Sequence, residues 1–185
     1  MFLSLSSYGS GVGKDTVAEI LVRKYGFVQF SWASELRRYI ACGFPDAPYH
    51  YRDNTPHIIP DKDWEEKVGF GDALRAEPQE VRDIVFKNNK LILKTMCDGR
   101  NPKIVVSDTR FLREFSHLQS LGFEMVKVLG HPRRGIKSED DYLNLCPFDA
   151  FLNNFCSLGQ LENNINNYIN GYVKLTRKNP ITIRT

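Results

Sequence analysis

No apolar run in this chain approaches the ~18 consecutive residues that a membrane-spanning helix needs, and no basic-apolar-small leader opens it. The expected setting is therefore cytoplasmic, with no membrane partner. Cysteine is sparse. Cys42, Cys97, Cys146 and Cys156 are widely spaced, with no CxxC pair and no histidine cluster at metal spacing. That argues against a disulfide framework or a zinc module and for free thiols. Charge of one sign is also lacking: 25 Lys and Arg stand against 22 Asp and Glu, a formal net charge of +3. So small an excess does not argue for nucleic acid, though it leaves cations for an anionic ligand. There is no internal repeat, and the Asn-rich "ENNINNY" is too short to count as low complexity.

What is present is ordinary globular material. The chain has 185 residues, 42% hydrophobic and 25% charged, which suits one domain over 1–185 with a real core. Residues 2–6 read as a buried strand and 15–25 as a helix with Val17, Ile20 and Leu21 on one face. "GFVQFS" (26–31) reads as a short strand, and "SELRRYIACG" (34–43) as a helix with Ser34 as N-cap. Residues 44–63 hold four prolines and three aromatics, the mark of an irregular excursion from the sheet. A long helix is expected over 78–99 and a strand buried on both faces over 103–108. A helix at 110–121, a strand at 123–130, a last strand at 148–152 and a helix at 158–169 complete the pattern. Strands alternating with helices predict a three-layer α/β fold on a parallel sheet. The basic tail "KLTRKNPITIRT" lacks the aromatic interleaving of a nucleic-acid surface and reads as a solvated terminal strand.

The most informative stretch is "SYGSGVGKDTVAEIL", Ser7 to Leu21. A strand, a glycine loop, Lys14 and a helix make the layout of a phosphate-binding P-loop. A polyphosphate carries several negative charges, and backbone N–H groups at a helix start complement them. Glycines let the backbone curl around the phosphates, and Lys14 adds a mobile charge at the terminal oxygens. Gly11, Val12, Gly13, Lys14, Asp15 and Thr16 are the candidate binding residues. Two positions depart from the common pattern: Tyr8 stands where the first glycine would, and Asp15 follows the lysine in place of a hydroxyl. Asp15 suits Mg²⁺ directly or through water. Thr16 suits a phosphate and is the second candidate metal ligand.

A P-loop indicates the donor, and the second half of the chain must indicate the acceptor. "VVSDTRFLRE" ends a buried strand in Asp108, and side chains at such strand ends face the ligand crevice of an open α/β sheet. Arg110 and Glu114 stand four apart, the spacing of one helical face. A guanidinium clamps a phosphate bidentately, and a carboxylate accepts from a sugar hydroxyl or a base amine. "HPRRGIKS" places Arg133 and Arg134 in a Pro/Gly-bounded loop that suits a mobile lid over 130–143, where an arginine would stabilise a transferring phosphoryl group. Arg37 and Arg75 are further candidates for the acceptor phosphate.

"GKDT", "ASELR", "SDTRFLRE" and "FDAFLNNFCSLGQLENNI" together resemble the deoxynucleoside monophosphate kinases of bacteriophage type, over most of the chain. The resemblance implies a P-loop kinase fold with an acceptor-binding excursion at 44–75. It implies ATP held by Lys14 and the loop amides, with Asn154 lining the donor base. Arg37, Arg75, Asp108, Arg110 and Glu114 would surround a nucleoside monophosphate, with Arg133 or Arg134 as lid cation. The catalytic set is then Lys14, Arg110, Arg133 and Arg134, acting with Mg²⁺ and ATP. The setting would be the host cytoplasm if the chain is phage-encoded. The resemblance allows a homodimer without requiring one, and implies no nucleic-acid partner. Animal-type phosphomevalonate kinases share GKD, "VSDTR" and the late Asn segment, so another phosphorylated small molecule is the alternative acceptor. A non-catalytic P-loop module is the third reading.

Overall fold

The computed structural model describes residues 1–7, 11–41, 50–52, 55–57, 68–69, 76–100, 102–131, 143 and 145–178, and all structural statements here concern those residues. Their elements are β1 (Phe2–Ser7), α1 (Lys14–Tyr25), β2 (Val28–Phe30), α2 (Trp32–Ala41), β3 (His50–Arg52) and β4 (Thr55–His57). After these come α3 (Gln79–Cys97), β5 (Ile104–Val106), α4 (Leu112–Ser120), β6 (Glu124–Leu129), β7 (Ala150–Asn153) and α5 (Leu158–Lys178).

Five strands form one parallel sheet in the order β2-β5-β1-β6-β7. The apolar strands alternate cleanly between two cores. On one face Leu3, Leu5, Val126 and Val128 meet Val17, Ile20 and Leu21 of α1 and Leu161, Ile165 and Ile169 of α5. On the other, Ile104, Val106 and Met125 meet Trp32, Leu93 of α3, and Phe115 and Leu118 of α4. This is the three-layer α/β arrangement on a parallel sheet that the sequence predicts. The chain runs from β1 outward to β2, returns at β5, then crosses β1 to β6. That reversal puts a crevice at the C-terminal end of β1, where such sheets bind ligands.

Three local expectations change. Ser34 is not the N-cap of the second helix, which begins at Trp32, because a carboxylate from across the sheet caps it instead. The excursion carries an antiparallel hairpin, with His50 opposite His57, that stands apart from the main sheet. The last helix runs on to Lys178, so the start of the basic tail is helical and not strand. Its entry is a capping box: Ser157 N–H donates to Gln160 Oε1 at 3.1 Å, and Gln160 N–H donates back to Ser157 Oγ at 3.4 Å. Asn166 and Asn170, one turn apart, also join side chains at 3.0 Å. Apart from 50–52, 55–57 and 68–69, residues 44–75 lie outside the described residues, as do most of 130–143, Cys42 and 179–185.

Candidate functional site

β1 delivers Ser7 to the crevice, and α1 starts seven residues later. Gly13 precedes the helix at φ +96° and Gly11 at +81°, a left-handed backbone that glycine adopts without strain. No side chain among the described residues caps α1. The Val17 N–H to Gly13 carbonyl bond, 3.0 Å, opens the helical ladder, so the amides before it lie outside that ladder with the positive end of the helix behind them. Lys14 Nζ folds back to donate to Ser7 Oγ at 2.7 Å, which holds the ammonium over the end of the central strand. Asp15 is exposed on the first turn and Thr16 half-buried beside it. Lys14, Asp15 and Thr16 thus form the first turn of α1, directly after Gly13.

The back of this loop is packed against a junction that the sequence does not announce. Val12 is buried at 3% exposure. Its carbonyl accepts a 2.7 Å hydrogen bond from Asn154 Nδ2. A Cβ built on Gly13 would lie 2.2 Å from that same nitrogen, so only glycine fits. Gly130 is equally constrained, since a Cβ there would lie 2.9 Å from the Val12 oxygen. Asn154 is held in turn by its own N–H, which donates to Leu129 O at 2.6 Å. His131 and the half-exposed Phe155 meet edge to face at 4.7 Å between centroids, at the mouth of this junction.

On the acceptor side both acids have backbone partners. Asp108 accepts from Ser31 Oγ at 2.6 Å and from the amides of Trp32 and Ala33, each at 2.9 Å. It caps α2, the helix that carries the half-buried Arg37. Glu114 does not share a helical face with Arg110, because α4 begins only at Leu112. Instead it turns back as the N3 residue, and its Oε2 accepts from the amides of Arg110 at 2.8 Å and Phe111 at 3.1 Å. Burial pushes its carboxyl up to about 7, with Asp108 adding to the rise, while those two amide bonds and Arg113 pull the other way. Arg110 itself is exposed, just past the end of β5. Arg75, Arg133 and Arg134 lie outside the described residues.

Some residues of the site escape sequence reasoning. Ser7 as the lysine's anchor and Gly130 as the loop's backing carry no motif. Thr109 bonds Ser4 Oγ at 2.9 Å and accepts from Ser6 Oγ at 3.3 Å, which fixes the turn that leads to Arg110. Lys127, buried at 2% in β6, lies with Nζ 4.9 Å from the Phe148 ring centroid. A lysine inside the apolar run "FEMVKVL" was its one visible signal. Cys97, Cys146 and Cys156 form no disulfide among the described residues, as expected, and burial raises the first two thiols. No described helix is long and apolar enough to cross a membrane.

No protein-family model and no curated protein matches this sequence. Among solved structures the chain is similar to an APS kinase of Mycobacterium tuberculosis in a cysteine-to-alanine form. That match has a TM-score of 0.46 and 12% identity, over 91% of this chain and 97% of the other. It is also similar to a protein of Chloroflexus aurantiacus provisionally described as a kinase, with a TM-score of 0.43 and 10% identity over 92% and 97%. Likeness at this level says nothing of substrate.

Proposed function

We propose that this chain is an ATP-dependent kinase that phosphorylates the phosphate of a small acceptor, a (deoxy)nucleoside monophosphate. One observation carries the reading. The uncapped N-terminus of α1, entered through two left-handed glycines, sits with Lys14 at the end of the central strand. That is a cradle for a polyphosphate, with amides for its oxygens and an ammonium for its terminal charge.

The donor set at the first turn of α1 suits Mg²⁺. No group of three or more His, Cys, Asp or Glu side chains forms a metal cage among the described residues. Mg²⁺ needs only one or two protein oxygens when it arrives with phosphates and water. Asp15 and Thr16 would supply them. When bound, the ion neutralises phosphate charge.

Arg110, just past the end of β5, would present the acceptor. Asp108 and Glu114 would act by placement, one holding α2 with Arg37, the other fixing the backbone at Arg110. An acceptor phosphate oxygen forms a bond to the γ-phosphorus as the β–γ bridging P–O bond breaks, releasing ADP. No covalent enzyme intermediate is needed, because that oxygen is already a nucleophile; the protein supplies alignment and charge. Arg133 or Arg134 would close over the transferring group.

The test is incubation with ATP, Mg²⁺ and each common ribo- or deoxyribonucleoside monophosphate, with phosphomevalonate as a further acceptor. ADP with a nucleoside diphosphate supports the reading. ADP with diphosphomevalonate would keep the kinase and replace its acceptor, and no phosphorylated product with any acceptor would contradict the proposal.

A further inference from the structure

The backing of the loop decides which way its peptide groups face. Asn154 Nδ2 holds the Val12 carbonyl at 2.7 Å. A trans peptide sets C=O and N–H antiparallel, so the N–H of Gly13 is turned to the side opposite Asn154. The amide of Asn154 fills the space where any other residue at position 13 would put its Cβ. The backbone that carries this amide is anchored on both sides. The Asn154 N–H is bonded to Leu129 O, and the preceding residue is anchored to α5 through Asn164 Nδ2 and Asn153 O at 3.1 Å. Asn153 Oδ1 also accepts from Phe155 N–H at 2.8 Å, which closes the turn on itself.

We propose that Asn154 is a positioning residue. It orients the Val12–Gly13 peptide so that the Gly13 N–H meets the phosphates, and it does not line the donor base, as the resemblance alone would imply. The proposal deepens the kinase reading and rests on it only in requiring a triphosphate in this loop. A brace runs from α5 through Asn153 and Asn154 to Val12, with Gly130 closing the other side. Without it the peptide can rotate, and binding must first restore the productive orientation.

The wild type, Asn154→Ala and Asn154→Asp are titrated calorimetrically with ATP, GTP and inorganic tripolyphosphate, with circular dichroism melts as a fold control. A positioning role weakens all three ligands together, by about tenfold or more, and leaves the ATP:GTP ratio within about twofold. The Asp variant is the weaker, because a carboxylate oxygen opposes the Val12 carbonyl and adds negative charge behind the loop. In the wild type, tripolyphosphate moves the Gly13 amide resonance in a ¹⁵N spectrum; in the Asp variant that shift is lost. Should the Asp variant fail to fold, the Ala variant, which leaves space in place of repulsion, carries the same comparison. Unchanged tripolyphosphate affinity in a folded variant overturns the proposal, whether or not base preference moves. A wild type that binds none of the three ligands overturns the triphosphate reading itself, which is a distinguishable result.

Discussion

Lys14 is tied to Ser7 and is not a member of either hydrophobic core, so its removal should separate chemistry from stability. Lys14→Ala is expected to lower turnover by orders of magnitude while the melting temperature stays within a few degrees, as steady-state kinetics and calorimetry will show. Arg110, exposed on a turn, should behave alike: Arg110→Ala loses turnover and keeps its fold, and unchanged kinetics would remove it from the acceptor site. Gly13→Ala is different. It forces a side chain into φ +96° and against Asn154, so a cost of roughly 1–3 kcal/mol should appear in denaturant midpoints together with lost ATP binding. At this scale the sequence was legible where chemistry is local. A run of glycines, a lysine and a helix start lie within ten residues. The contacts of Gly130 and Asn154 with Val12 were not legible, since more than a hundred residues separate them and no spacing records them; Ser7 lies near Lys14 in the chain but belongs to no motif.

Elements were readable from periodicity, and their ends were not. The second helix starts two residues before Ser34 because Asp108, some 75 residues onward, supplies the cap. Similarly, a spacing of four suggested that Arg110 and Glu114 share a face, but Glu114 folds back to the amides ahead of α4. This contact carries a pH dependence. Glu114 keeps its proton up to about pH 7 in the native state, whereas the unfolded chain releases it near the ordinary value of 4.5. The native state thus binds more protons between those values, and stability falls as pH rises through that window. The loss is of order 3 kcal/mol, with full stability below about pH 4.5 and none of this contribution left above about pH 7. Glu114→Gln retains an oxygen for both amides and cannot ionise. Urea midpoints measured across the window should decline in the wild type and stay flat, for this contribution, in the variant. An equal decline in both would place the titration elsewhere.

For the whole molecule, the parallel sheet followed from strands alternating with amphipathic helices, with 103–108 the apolar run that needs cover on both faces. Strand order did not follow, because each strand reads alike in isolation. β1 lies at the centre, with α1 and α5 on one side and α2, α3 and α4 on the other, and the proposed ligand site is at its end. It also links binding to folding: only the folded chain presents the cradle. ATP at ~100 times its dissociation constant should therefore stabilise the protein by about 2.7 kcal/mol. In a chain of this size that is a rise of roughly 5–10 °C in melting temperature. The most direct measurement is a crystal structure with Mg²⁺ and a non-hydrolysable ATP analogue. The expected result has the β- and γ-phosphates within hydrogen-bond reach of the amides from Gly13 to Thr16 and of Lys14 Nζ, with the γ-phosphate turned toward Arg110. A nucleotide bound away from the end of β1, or a triphosphate reaching neither the loop amides nor Lys14, would contradict it.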